Sequence, residues 1–107
     1  MKNVNIVCTT KPGDGLLHYS YEHCCFLNDL GVNAKLIIVR DHRFSEQSYI
    51  NALNKSYIKF ENVVFDFYTP TSNDITLIMG RSQLTLAYLN KHTYNNDQLL
   101  TLHLLFS

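Results

Sequence analysis

The feature that most constrains this chain is a change of hydrophobic period within its first forty residues. Val4, Ile6, Val7 and Cys8 form a short apolar run, rich in β-branched side chains, of the kind a buried strand requires. Lys11-Pro12-Gly13-Asp14-Gly15 interrupts it with strong turn chemistry. From Leu16 the spacing becomes helical. Leu17, Ser20, Tyr21, Cys24 and Leu27 recur at helix period, and Gly31 stands where a left-handed closing residue is wanted. Val32 to Val39 (VNAKLIIV) then reads as a second buried strand. Two strands joined through a helix predict a βαβ unit, whose crossover is almost always right-handed. A helix N-terminus beside a glycine turn offers unpaired N–H groups and a positive dipole end to an anion.

The rest of the chain reads as the completion of a sheet beside this unit. Arg40-Asp41-His42-Arg43 places a polar cluster at the carboxyl end of the second strand. Ser45, followed by Glu46 and Gln47, suits a helix N-cap, and Ile50 and Leu53 support a modest helix behind it. Phe60 to Tyr68 is strand-like and is stopped by Thr69-Pro70-Thr71-Ser72-Asn73, and Asp74 to Met79 is another short apolar strand. Gly80-Arg81-Ser82 leads into a helix carrying Leu84, Leu86, Ala87, Tyr88 and Leu89, with Lys91 and His92 complementing its dipole. Asp97 to Phe106 (DQLLTLHLLF) reads as an acidic first turn and a strongly apolar final helix.

The expectation is therefore a single α/β domain over residues 1–107. Strands are predicted near 4–9, 33–39, 62–68 and 74–79, and helices near 16–30, 45–56, 82–91 and 96–106. Alternating strands and helices imply a mostly parallel sheet flanked by helices. The doubly wound rule orders its strands 3-2-1-4, with the switch point between the first strand and the one ending at Met79. That order brings Lys11–Gly15 beside Gly80–Ser82 at the carboxyl edge, where such sheets bind ligands.

Composition narrows the classes of partner. Nine basic and nine acidic residues leave no formal net charge, so no overall field draws the chain to nucleic acid or to an anionic membrane. No apolar run approaches the ~20 residues of a membrane span. The chain opens directly on its first strand, and three cysteines do not make a disulfide framework, so a cytoplasmic setting is expected.

Lys11, Gly13 and Gly15 are candidates to hold a phosphate, one supplying a cation and two allowing close backbone approach. Gly80, Arg81 and Ser82 are candidates for the facing wall, Arg81 through bidentate contact with an oxyanion. The plainer alternative makes Pro12–Gly15 a tight turn and Ser82 a helix cap. Gly13-Asp14-Gly15-Leu16-Leu17-His18 also resembles a dinucleotide fingerprint with Asp41 as its ribose acid. His18 replaces the third glycine, which exists for close helix–strand packing, and argues against that cofactor. His18, Glu22, His23, Cys24 and Cys25 are crowded in sequence, but adjacent helix positions point in different directions, so no metal and no cofactor is expected. Cys8, Cys24 and His103 read as packing residues.

Val7 to Leu16, Tyr19 to Leu30 and Gly31-Val32-Asn33-Ala34 together resemble the opening of a GT-B glycosyltransferase of bacterial or phage type. Asp74 to Leu89 is similar to a later strand–loop–helix of the same N-terminal half. The resemblance implies a Rossmann-like sheet, half of a GT-B architecture, and an acceptor-side domain of a nucleotide-sugar-dependent hexosyltransferase. In that family the nucleotide-sugar is held chiefly by a second domain, so this chain is expected to be incomplete for catalysis alone. The loop Lys11–Gly15 would face acceptor and donor phosphate, with Asp14 or His18 as general base. The alternative is a non-enzymatic binding module, viral or regulatory. It would dock a partner through the apolar helix containing Leu99 to Phe106, and that same helix would drive self-association or cover a missing C-terminal domain.

Overall fold

The computed structural model describes residues 3–54, 62–66, 74–80 and 99–103, the last five as backbone alone. The element order is β1 (Asn3–Thr10), α1 (Gly15–Asp29), β2 (Asn33–Arg40), α2 (Glu46–Asn54), β3 (Val63–Phe65), β4 (Asp74–Gly80) and β5 (Leu99–His103). The five strands form one sheet in the order β3-β2-β1-β4-β5, with every pairing parallel. This is a Rossmann-like α/β fold. The predicted order holds, with β1 hydrogen-bonded to β2 on one edge and to β4 on the other.

Strand alternation divides the sheet into two faces. Ile6, Cys8, Leu36, Ile38 and Met79 belong to one core with Leu17, Tyr21 and Cys24 of α1 and with Tyr49 and Leu53 of α2. Val7, Ile37 and Ile78, on the other face, are equally withdrawn from solvent. A parallel sheet buried on both faces explains why its strands read as nearly continuous apolar runs. Among the described residues, no helix is long and apolar enough to cross a membrane.

Local chemistry sets the ends of α1. Leu30 is its C-cap, Gly31 follows at φ +86°, the Gly31 N–H donates to Asn28 O (3.0 Å) and the Val32 N–H to Leu27 O (3.0 Å). This pair of bonds is a Schellman motif, and glycine supplies its left-handed residue without a Cβ penalty. The Asn28 amide then steers the chain into β2: Nδ2 donates to Ala34 O (3.1 Å) and Oδ1 accepts from the Ala34 N–H (3.2 Å). Helix α2 starts as predicted, with Ser45 Oγ accepting from the Ser48 N–H (3.3 Å).

One prediction fails. Residues 99–103, placed in the final helix over 96–106, are instead the strand β5, paired with β4 from Thr76↔Leu99 to Gly80↔His103. A short run apolar on all sides suits a buried helix and a strand alike, and periodicity cannot separate them. The free edge of β4 decides it, because unpaired backbone N–H and C=O groups there are satisfied by a neighbouring strand. Docking or self-association through a helix over these residues loses its basis. The helix expected near 82–91 lies outside the described residues, as do Arg81 and Ser82.

Among the glycines described, Gly80 is the one whose missing Cβ the sheet leaves no room for. It lies in register with Thr9, and a Cβ built on it would fall onto Thr9 Oγ1, with Thr9 O only 2.9 Å away. Gly15, at the first position of α1, has no heavy atom near its virtual Cβ. We expect Gly80→Ala to destabilise by roughly 1–3 kcal/mol, as overpacking does. Gly15→Ala should instead stabilise by about 0.4–1 kcal/mol through the unfolded state. Urea midpoints of the two variants, shifting in opposite directions, check both statements.

Candidate functional site

The carboxyl edge of β1 is where the chain's polar groups gather. Pro12 and Gly13 are the central residues of a turn closed by the Asp14 N–H donating to Lys11 O (3.2 Å). Asp14 is the N-cap of α1. Its Oδ1 accepts from the Leu16 N–H (3.0 Å) and its C=O from the Leu17 N–H (3.1 Å). The free donors foreseen at this helix end are thus partly used by the chain itself. Gly13 and Gly15 N–H groups make no hydrogen bond among the described residues.

Helix α2 locks the ends of β1 and β2 together. Tyr49, fully buried, donates its hydroxyl to Thr10 O (2.6 Å) and accepts from the Asp41 N–H (2.9 Å). Its ring meets Phe65 edge-on, with centroids 6.3 Å apart. The end of β3 is tied in similarly. Asp66 at φ +66° accepts from Arg40 Nε (2.8 Å) and the Arg40 N–H (3.0 Å), and its own N–H donates to Ile38 O (2.7 Å). Partial burial alone would raise the Asp66 pKa, but the Arg40 hydrogen bonds outweigh it and hold the carboxyl below its ordinary range.

A crevice of about 400 Å³ opens at this edge, lined by Lys11, Gly13, Asp14 and Phe44. Of the residues singled out from sequence, the structure brings Lys11, Gly13 and Asp14 together on its wall. His18 stands further along α1, outside that lining, and Gly80 sits against Thr9 on the β4 side. Phe44, from the β2–α2 loop, was missed. One aromatic in a polar loop has no periodicity to betray it, and only its place just after a carboxyl end was available. The Arg43 guanidinium lies 5.8 Å from the Phe44 ring centroid. Thr10 Oγ1, fully buried at the end of β1, has no hydrogen-bond partner among the described residues.

Several chemistries are weakened by their surroundings. Asp41, the ribose acid of a dinucleotide reading, is already gripped by Arg43, through Nη2 to Oδ2 (2.8 Å), Nε to Oδ1 (3.1 Å) and the backbone N–H to Oδ1 (3.0 Å). Burial pushes the Cys8 thiol up to about 12 and Cys24 up to about 11, which suits packing and not nucleophilic attack. Among the described residues no three His, Cys, Asp or Glu side chains converge as metal ligands.

No protein-family model, no curated protein and no solved structure matches this chain. The site is therefore read from its own geometry.

The Asp41–Arg43 pair gives a direct test of that geometry. Hydrogen bonds from the Arg43 side chain, then from its backbone N–H, lower the Asp41 pKa from 3.8 to about 2. A depressed carboxyl contributes stability above its ordinary value and loses it as pH falls towards the depressed one. NMR titration of the side-chain carboxyl should place the Asp41 midpoint near 2, and Arg43→Gln should return it towards 3.8. A wild-type midpoint already at the ordinary value would mean that the pair does not persist in solution.

Proposed function

We propose that this chain is the acceptor-side, Rossmann-like domain of a nucleotide-sugar-dependent glycosyltransferase of hexosyl-transferring type. The observation that carries the reading is the crevice at the carboxyl edge of the central strand, lined by Lys11, Gly13, Asp14 and Phe44. Its volume of about 400 Å³ suits a small organic ligand. The Gly13 N–H, without a hydrogen-bond partner among the described residues, and the Lys11 ammonium favour an anionic group such as the donor phosphate. The engagement of Asp41 by Arg43 and the presence of His18 in place of a third glycine weigh against a nicotinamide dinucleotide.

In this reading the chain binds and orients, while the transfer itself requires a second domain. In an inverting transfer the acceptor hydroxyl gives its proton to a base and its oxygen bonds to the anomeric carbon. The bond from that carbon to the diphosphate breaks, leaving the electron pair on the phosphate. Asp14 and His18 are the candidate bases. The Asp14 carboxylate lines the crevice but already serves α1 as its cap, and His18 stands outside the crevice lining. Of the facing residues expected from sequence, Gly80 lies on β4 in register with Thr9.

Calorimetric titration of the full-length chain with uridine and guanosine diphosphates tests the reading. Binding should be measurable, and Lys11→Ala should weaken it by roughly 1–3 kcal/mol, the range for a hydrogen bond to a charged group. Circular dichroism should report an unchanged fold. No binding of either nucleotide, or equal affinity in the variant, would remove the proposal.

A further inference from the structure

Helix α1 carries an apolar stripe on the side turned away from the core. Tyr19, Phe26 and the C-cap Leu30 are 53%, 60% and 64% exposed, the exposed large apolar side chains among the described residues. With the half-buried His23 they follow spacings of four, three and four, which is the seam of a two-helix contact. The Tyr19 ring meets the His23 ring edge-on, with centroids 6.1 Å apart, so the start of the stripe is already ordered. Its two flanks differ. On one side Ser20 is buried and Leu27 packs against the core. On the other Glu22 and Asp29, seven residues apart, are both exposed. Helix α1 contains no Lys or Arg, and its last turn holds Asp29 at the negative end of the dipole, where a cation would be favourable. The chain carries no formal net charge, so this acidity belongs to the face and not to the protein as a whole.

From this we infer that the outer face of α1 docks an amphipathic helix of another protein, one whose apolar seam is flanked by Lys or Arg. Charge selects that occupant. Two copies of this chain packed antiparallel along the stripe would set Glu22 and Asp29 of one copy against those of the other, and like charges across a contact oppose it. A basic helix pairs with both carboxylates and answers the end of the α1 dipole, while its apolar residues cover Tyr19, Phe26 and Leu30. None of Lys11, Gly13, Asp14 and Phe44, which line the crevice, belongs to this face, so the inference is independent of the glycosyltransferase reading.

The test uses the isotopically labelled full-length chain, followed by NMR, and two synthetic helical peptides with leucines at seam spacing. One peptide carries lysines along the flanks of its seam, the other glutamates. The lysine peptide should shift the amides of Tyr19 to Leu30. It should bind roughly tenfold more tightly than the glutamate peptide, because two charge pairs change from attraction to repulsion between them. Phe26→Ser and Leu30→Ser, both at exposed positions, should each weaken the lysine peptide by about tenfold through lost apolar burial and leave the urea midpoint nearly unchanged. Glu22→Gln combined with Asp29→Asn should bring the two peptides to equal affinity. Equal affinity of the two peptides for the wild type, lysine-peptide binding indifferent to Phe26→Ser, or no binding by either peptide overturns the inference. A dimer in sedimentation that Phe26→Ser disperses assigns the stripe to a second copy of the chain and overturns it too.

Discussion

Strand β1 is hydrogen-bonded along both edges, and its residues from Asn5 to Thr10 are all buried. In a parallel sheet each neighbour must return through a crossover before pairing, so the central strand sets the register of both sides. Asn3 pairs with Asn33 on one side and with Asp74 on the other, and the two ladders run together to Thr9. The tight fit of Thr9 against Gly80 follows from that register, as does the meeting of the β1 and β2 carboxyl ends under Tyr49. The crevice lies at the edge where this pairing stops and the chain turns away into α1.

Electrostatics at that edge is a balance. A helix N-terminus attracts anions, but Asp14 already supplies one and spends an oxygen on the Leu16 N–H. The Lys11 ammonium and the Gly13 N–H lie on the crevice lining, and neither the Gly13 nor the Gly15 N–H is hydrogen-bonded among the described residues. At neither glycine does φ turn positive, and no neighbouring atom would crowd a Cβ.

Much of the architecture was legible because it is local. The switch from strand to helix period at Leu16, the closure at Gly31 and the cap at Ser45 are each decided within a few residues, and the structure reproduces them. The strand order followed from the doubly wound rule. The final segment was not legible in the same way. Leu99 to His103 belongs to a run that suits a helix or a strand, and the choice rests with the unpaired edge of β4, remote in sequence. The candidate site divides similarly. Lys11, Gly13 and Asp14 were visible through turn chemistry, whereas Phe44 becomes part of the wall only once β2 lies beside β1. The grip of Arg43 on Asp41 depends on the loop conformation after β2, which spacing alone did not disclose.

The central claim is that ligand chemistry resides at the carboxyl edge of β1. Opposed to it is the outer face of α1, where Tyr19, Phe26 and Leu30 are exposed and could instead meet another protein. Mapping backbone amide shifts by NMR during titration with uridine diphosphate separates these surfaces most directly. The account predicts perturbations concentrated at Lys11, Gly13, Asp14, Gly15 and Phe44, with the outer face of α1 silent. Perturbations centred on Tyr19 to Leu30, or none at saturating nucleotide, would contradict it.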